Sequence, residues 1–391
     1  MIFTSLIYPL FLLAAVLVFH LLPKQWRPVW ITLCGTAFYT FYAGGFLLFI
    51  LVEAVAVYVL ARNSVRHGGT FIVGLSLAIG ALAYYKYRIM LFNLVATLFH
   101  MTPLSAERII IPLALSFYTF EFIHYLADMR KGTIAEHGFF EFMAFTMFFP
   151  TMVAGPIKRF QDFTPKLRDA GLSWALVNAG VLRIAVGVAK KVVIADSIST
   201  WVDPLTQATG HVSAGVVAIS LVAYSVKIYM DFSGYSDIAI GSAALFGIAV
   251  PENFSLPYFK TSIANFWKSW HISLTRWIID YVFIPLGGSR SGFALAGINT
   301  VIAMSISGLW HGAALNFAFW GLYHGLLLVG YRAYRVFIKP LIALPSAFRP
   351  VTNIASGVFT FALVSFGWGF FIMPAGKFLG IITEIAKGVI G

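Results

Sequence analysis

Residues 293–333 read FALAGINTVIAMSISGLWHGAALNFAFWGLYHGLLLVGYRA, and this stretch decides the fold. Two apolar runs, 293–310 and 313–333, flank a single imidazole, His311. A helix rises about 1.5 Å per residue and the hydrocarbon of a bilayer is about 30 Å thick, so roughly 20 apolar residues cross it. Each run is close to that length, and the pattern recurs along the whole chain. Of 391 residues, 60% are AVILMFWYC and 11% are charged, with a mean hydropathy of +0.86. A soluble domain carries about 25% charged residues, so the polar shell needed to cover this much apolar sequence is missing. The same numbers exclude disorder, collagen, a coiled coil and a disulfide scaffold. The apolar runs are continuous rather than alternating, which argues against a β-barrel. The expected fold class is an all-α polytopic membrane protein.

Working outward, the candidate spans are 5–22, 29–43, 46–61, 70–87, 108–126, 139–154, 174–195, 212–231, 234–249, 293–310, 313–333 and 353–373. Some are short enough to be tilted or re-entrant, so ten to twelve transmembrane helices are expected. The first, Leu6 to Leu22, reads as a retained helix rather than a cleaved signal. Connections are short, and one membrane domain over 1–391 is expected. No internal repeat is visible, which weakens an inverted-repeat transporter.

The net charge is +12. The bases sit between apolar runs, as the positive-inside rule and anionic lipid headgroups demand, so the expected partner is membrane lipid and not nucleic acid. Arg62 and Arg66, Arg130 and Lys131, Lys158 to Arg168, and Arg332 to Lys339 are placed on the cytoplasmic side. The one cysteine, Cys34, excludes an intrachain disulfide and a multi-cysteine metal site.

Residues 251–292 break the pattern: PENFSLPYFKTSIANFWKSWHISLTRWIIDYVFIPLGGSRSG. From Ile263 the positions Ile263, Phe266, Trp267, Trp270, Leu274, Trp277 and Ile278 fall on one helical face. The spacing predicts a helix lying along the interface or dipping in as a re-entrant element. It either anchors the surface through its tryptophans or lines a polar cavity.

An ionisable group at membrane depth is costly, so each is a candidate for function. His311 is first. Its imidazole can take a proton from a hydroxyl, and Gly308 and Gly312 permit close approach of another backbone or a substrate. His271, forty residues upstream, shares a face with Trp267 and Trp270. Asp231 and Asp237 stand beside an expected helix break at Ser233-Gly234, where they either hold a substrate hydroxyl, pair with Lys227 or cap the following helix. Lys158 and Arg159, after Ala154-Gly155-Pro156, form either a helix stop with cytoplasmic charges or a basic rim for an anionic donor. Glu121 and His124, three apart, read as a buried packing pair. His311 and His324 lack an intervening carboxylate, so no metal site is expected. No nucleophile elbow, Walker loop or H-E-x-x-H motif is present. His20, His67, His100, His137 and His211 fall near span ends and support no assignment.

Taken in order, SFYTFEFIHYLADMRKG (116–132), FFPTMVAGPIKRFQDF (148–163), KKVVIADSI (190–198), YMDFSGYSDIAIGSAALFGIAVPENFSLPY (229–258), FWKSWHISLTRWIIDYVFIPLGG (266–288) and GLWHGAALNFAFWGLYHG (308–325) resemble the membrane-bound O-acyltransferase (MBOAT) family. The resemblance covers roughly 108–330 and is nearest the bacterial branch that holds the alginate O-acetyltransferase membrane subunit and the D-alanyl transfer protein of teichoic acids. It implies a helical bundle around a central cavity. His311, in Gly-Leu-Trp-His-Gly, matches the family's essential histidine, and His271 matches a second active-site position.

By that resemblance a short acyl group, acetyl first of all, passes from a cytoplasmic thioester toward hydroxyls of an extracytoplasmic polysaccharide. The implied donor is acetyl-coenzyme A or an acyl carrier phosphopantetheine, with no tightly bound cofactor. The implied partner is an extracytoplasmic SGNH-hydrolase-like protein, and the implied location is the bacterial inner membrane. His311 would act as general base, kept neutral by desolvation. His271, Trp267, Trp270, Ser307 and Trp310 would shape the reacting centre, with Asp231 and Asp237 lining it and Lys158 and Arg159 at the donor rim. The alternatives are D-alanyl transfer from a carrier protein and a transporter of polymer or lipid-linked sugar.

Overall fold

The computed structural model describes all residues except 1, 2, 4, 105–109, 208–211, 343–344 and 389–391. His211 and the start of the 108–126 span therefore lie outside the described residues. Among the described residues the secondary structure is helical and contains no strand. In chain order the helices are α1 (Ile7–Leu21), α2 (Arg27–Ala43), α3 (Leu47–Ser64), α4 (Gly68–Leu82), α5 (Arg88–Leu98), α6 (Leu115–Arg130), α7 (Phe139–Thr146), α8 (Phe149–Met152), α9 (Phe160–Asp169) and α10 (Trp174–Val188). They continue with α11 (Asp196–Thr206), α12 (Ala214–Leu245), α13 (Ile263–Trp267), α14 (Ile272–Ile278), α15 (Gly292–His311), α16 (Leu315–Ala333), α17 (Arg349–Ile372) and α18 (Ala375–Ala386). By length and composition, five helical stretches among the described residues are apolar enough to cross a membrane: Lys24–Ser64, Gly68–Leu98, Ala214–Leu245, Gly292–His311 and Ser346–Ile372. Leu and Phe side chains along α1, α3, α4 and α17 face outward, as lipid-exposed helices require.

The chain groups into two compact units. The first comprises Met1–Val188 and Gly234–Glu252, the second Ala189–Ser233 and Asn253–Gly391. The first has a core of aromatic side chains from α1, α2, α6, α7, α8 and α9, including Phe38, Tyr118, Phe145 and Phe149. In the second, Trp267, Trp270, Trp320 and Trp368 form the centre of the core.

Three expectations are corrected. The 139–154 run does not cross as one span. It folds as α7 and α8, of 8 and 4 residues, with the chain turning at Met147-Phe148. Residues 142–152 are all buried, so the hydrophobicity of this segment serves the protein core rather than lipid. Ser233-Gly234 does not break the chain, because α12 runs unbroken for 32 residues. Glycine costs a helix only about 1 kcal/mol, and the lack of a Cβ at nearby glycines is used for packing. In the first unit a Cβ on Gly187 would fall 2.6 Å from the Gly234 carbonyl oxygen, and one on Gly241 would fall 2.6 Å from that of Gly180. Helices α10 and α12 therefore meet backbone to backbone, as small residues permit in membranes. Gly241→Val should lower stability by about 1–3 kcal/mol or more through overpacking, read as a drop in thermal unfolding temperature in detergent. Gly380→Ala, with open space around it, should leave that temperature unchanged.

The third correction concerns 263–278. All seven apolar positions of the expected face are buried. The backbone, however, makes two short helices, α13 and α14, with His271 between them at φ 42 and ψ 55, the left-handed region. That conformation costs a non-glycine residue about 1–2 kcal/mol, so the surroundings must hold it.

Candidate active site

The group that holds it is Asn253, fully buried, from the Pro-Glu-Asn-Phe segment. Its backbone carbonyl accepts from the Ile272 amide at 2.9 Å, which pins the chain just past His271. Its side-chain Oδ1 accepts from Ser273 Oγ at 2.6 Å and from the Ser273 amide at 3.4 Å. These two donors identify the oxygen of the amide and settle its orientation. The same Oδ1 lies 3.3 Å from His271 Nδ1. An amide oxygen only accepts, so Nδ1 carries the proton and Nε2 keeps its lone pair. Nε2 is buried and meets no hydrogen-bond partner among the described residues. The strained turn thus delivers one imidazole with a defined tautomer and an open acceptor nitrogen.

His271 packs edge-on against Phe232 (centroids 4.6 Å apart) and Trp310 (5.7 Å). The other side of the arrangement comes from α15. Trp310 also contacts His311, the last residue of that helix, at 4.8 Å. His311 is half-buried and touches Trp320 at 5.3 Å and Phe371 at 5.1 Å. One indole therefore touches both imidazoles, one sealed in protein and the other partly open. Helix α15 is placed by α16: a Cβ on Gly308 would lie 2.1 Å from the Phe317 carbonyl oxygen, and one on Gly321 would lie 2.3 Å from that of Met304. Gly308 thus admits another backbone, and Gly312 admits the Phe317 ring, where a Cβ would lie 2.2 Å away.

Comparison with known proteins matches residues 84–373 to the MBOAT, membrane-bound O-acyltransferase family. The chain belongs to the membrane-bound O-acyltransferase family. It is 34% identical over 384 residues to the probable alginate O-acetylase AlgI of Pseudomonas aeruginosa, covering 95% of this chain and 72% of the relative. It is 30% identical to the peptidoglycan O-acetyltransferase of Helicobacter pylori, covering 93% and 73%. It is also 30% identical to the teichoic acid D-alanyltransferase of Bacillus subtilis, covering 66% and 68%. This membrane-bound O-acyltransferase is thus a polytopic helical enzyme.

The remaining expected site residues fall elsewhere in the acyltransferase. Trp267 and Trp270 are 6% and 3% exposed and lie within the aromatic core of the second unit. Trp267 packs on Trp320, the indole that touches His311, and Trp270 packs on Phe254 and Trp368. Ser307 is likewise buried. The base expected to pair with the acids is corrected from Lys227 to Lys191 for Asp231: Lys191 Nζ lies 2.6 Å from Asp231 Oδ1 and also reaches Asp196 at 2.9 Å. In the first unit, Asp237 accepts from Arg183 Nε at 3.0 Å, and Arg183 also grips Glu252.

The donor-rim expectation for Lys158 is corrected, since its ammonium is buried at 2% exposure. It is paired with Glu121 and sits 4.4 Å from the centre of the Phe145 ring. Glu121 and His124 are both buried, as expected of a packing pair. His124 Nε2 accepts from the Phe160 amide at 3.1 Å. The Glu121–His124 face therefore straps down the 156–160 segment. Arg159 is half-buried beside it. Sequence reasoning missed Asn253 and Lys191. An asparagine between two prolines reads as turn chemistry, and a lysine next to another lysine reads as a surface charge.

Proposed function

We propose that this enzyme passes a short acyl group, acetyl, from a cytoplasmic thioester toward hydroxyls of an extracytoplasmic polysaccharide, in the bacterial inner membrane and with an SGNH-type partner. The observation that carries the reading is the pair of imidazoles on Trp310, one of them holding an open acceptor nitrogen. The names of the relatives, two O-acetyltransferases and a D-alanyltransferase, support transfer of small acyl groups to envelope polymers.

The acceptor hydroxyl attacks the thioester carbonyl. The C–O bond forms, the C–S bond breaks, and the hydroxyl proton moves to His311 and then to the departing thiolate. His311 takes this role because it is the more open of the two imidazoles. His271, buried with an unpartnered Nε2, acts as a positioning residue through Trp310, which sets the spacing between the two rings. Ser307, Trp267 and Trp270 support the centre from behind. Asp231, held by Lys191, supplies a fixed carboxylate in the same unit. Arg159 remains the candidate for donor phosphates.

Purified protein given labelled acetyl-coenzyme A and an acceptor should transfer label. Failure with acetyl-coenzyme A but transfer from a D-alanyl carrier would move the assignment to that donor, and transfer from neither would leave a transporter. Asn253→Ala strands His271 and Ser273 without their acceptor. Unpaired buried donors cost about 1–3 kcal/mol of local stability, enough to release His271 from its strained turn, so kcat should fall about tenfold or more, while Asn253→Asp, which keeps an acceptor oxygen, should retain most of it.

A further inference from the structure

A groove of about 720 Å³ runs between α1 and α10 in the first unit. Its walls are apolar, formed by Leu12, Leu13, Val16, Val177, Val181 and Ile184 among others. At one end they give way to His20 and Arg27. Arg27 is 8% exposed. Its Nε and Nη1 donate to the carbonyls of Leu22 and Ala170, at 3.2 and 2.5 Å, and its guanidinium lies 4.8 Å from the centre of the Phe19 ring. No carboxylate pairs with it among the described residues. His20 Nε2 meets the Leu245 carbonyl at 2.9 Å, while its Nδ1 is buried without a partner.

A buried guanidinium carries five donors and a full charge, and a buried charge is costly unless it is paired. Two carbonyls satisfy part of its hydrogen bonding and none of its charge. An anion at the mouth of the groove supplies the rest. The apolar walls exclude a free hydrophilic anion as the sole occupant and call for a chain attached to it. From Trp174 to Val188, α10 presents about 21 Å of wall at 1.5 Å per residue, somewhat more than half of a hydrocarbon core of about 30 Å. Exposed Trp26 and Trp174 flank the charged end, as tryptophans do at headgroup level.

We propose that this groove binds one phospholipid, its phosphodiester on Arg27 and one acyl chain laid between α1 and α10. Lipid binding in this groove does not depend on which acyl group the enzyme transfers, so its test is separate from that of the reaction.

Delipidated full-length protein in detergent is titrated with dioleoyl-phosphatidylglycerol and followed by native mass spectrometry. Wild type is expected to retain one lipid. Arg27→Gln, which keeps amide donors for the two carbonyls, should weaken retention about tenfold. Val181→Trp fills the groove, leaves Arg27 untouched and should weaken it at least as much without lowering the unfolding temperature of the lipid-free protein. Dioleoylglycerol, which lacks the phosphate, should not be retained, and inorganic phosphate should not compete. Wild-type retention by both variants would overturn the proposal. So would equal retention of dioleoylglycerol, and displacement by inorganic phosphate at matching concentration would reassign the site to a free anion.

Discussion

His311→Ala is expected to reduce acyl transfer by about 10²–10⁴-fold, the usual worth of a positioned general base, while leaving the protein folded. The structure separates the two effects. The ring is half-buried, at the end of α15, and its neighbours Trp310, Trp320 and Phe371 also pack on one another or on other aromatics. Removing it opens little core. The position of α15 is set by Gly308 and Gly321 against α16, which the substitution does not touch. The check is a pair of measurements on one preparation: transfer of labelled acetyl and thermal unfolding in detergent. Lost transfer with unchanged unfolding supports the base assignment. Lost transfer with a large fall in unfolding temperature would mean that the ring is structural.

Lys158→Ala is expected to do the reverse. Lys158 and Glu121 are both buried, and the ammonium lies against Phe145 and Phe163. Removing one partner of such a pair leaves an uncompensated charge inside the protein, at a cost of about 3–5 kcal/mol. Replacing both, Lys158→Met with Glu121→Leu, removes the charge as well as the pair and should recover most of that loss. If the single and double variants unfold together, the pair does not hold the 156–160 segment. If the double variant is stable yet loses activity, Lys158 or Glu121 has a role beyond packing.

The sequence signals that proved informative were those of composition and period. Continuous apolar runs yielded a helical membrane protein, and the face from Ile263 to Ile278 is buried at every expected position. The ordered motifs carried the family. What failed was the reading of single residues whose role depends on contacts far away in the chain. Gly234 looked like a break because glycine disfavours helix locally, but its carbonyl sits in the space left by the missing Cβ of Gly187, 47 positions earlier. The 139–154 run had the hydrophobicity of a span and became core. His271 sat within a clean helical period, yet Asn253 pulls the backbone out of the helix there. Lys158 looked like a surface charge until Glu121, 37 residues away, proved to face it.

The claim on which the rest depends is that the two imidazoles on Trp310 perform acyl transfer. The most direct measurement is single-turnover transfer from radiolabelled acetyl-coenzyme A, supplied on the cytoplasmic side of proteoliposomes, by wild type, His311→Ala, His271→Ala and Asn253→Ala. The account predicts label leaving coenzyme A in wild type, none above background for His311→Ala, and reduced transfer for the other two. Transfer at the wild-type rate by His311→Ala would contradict it.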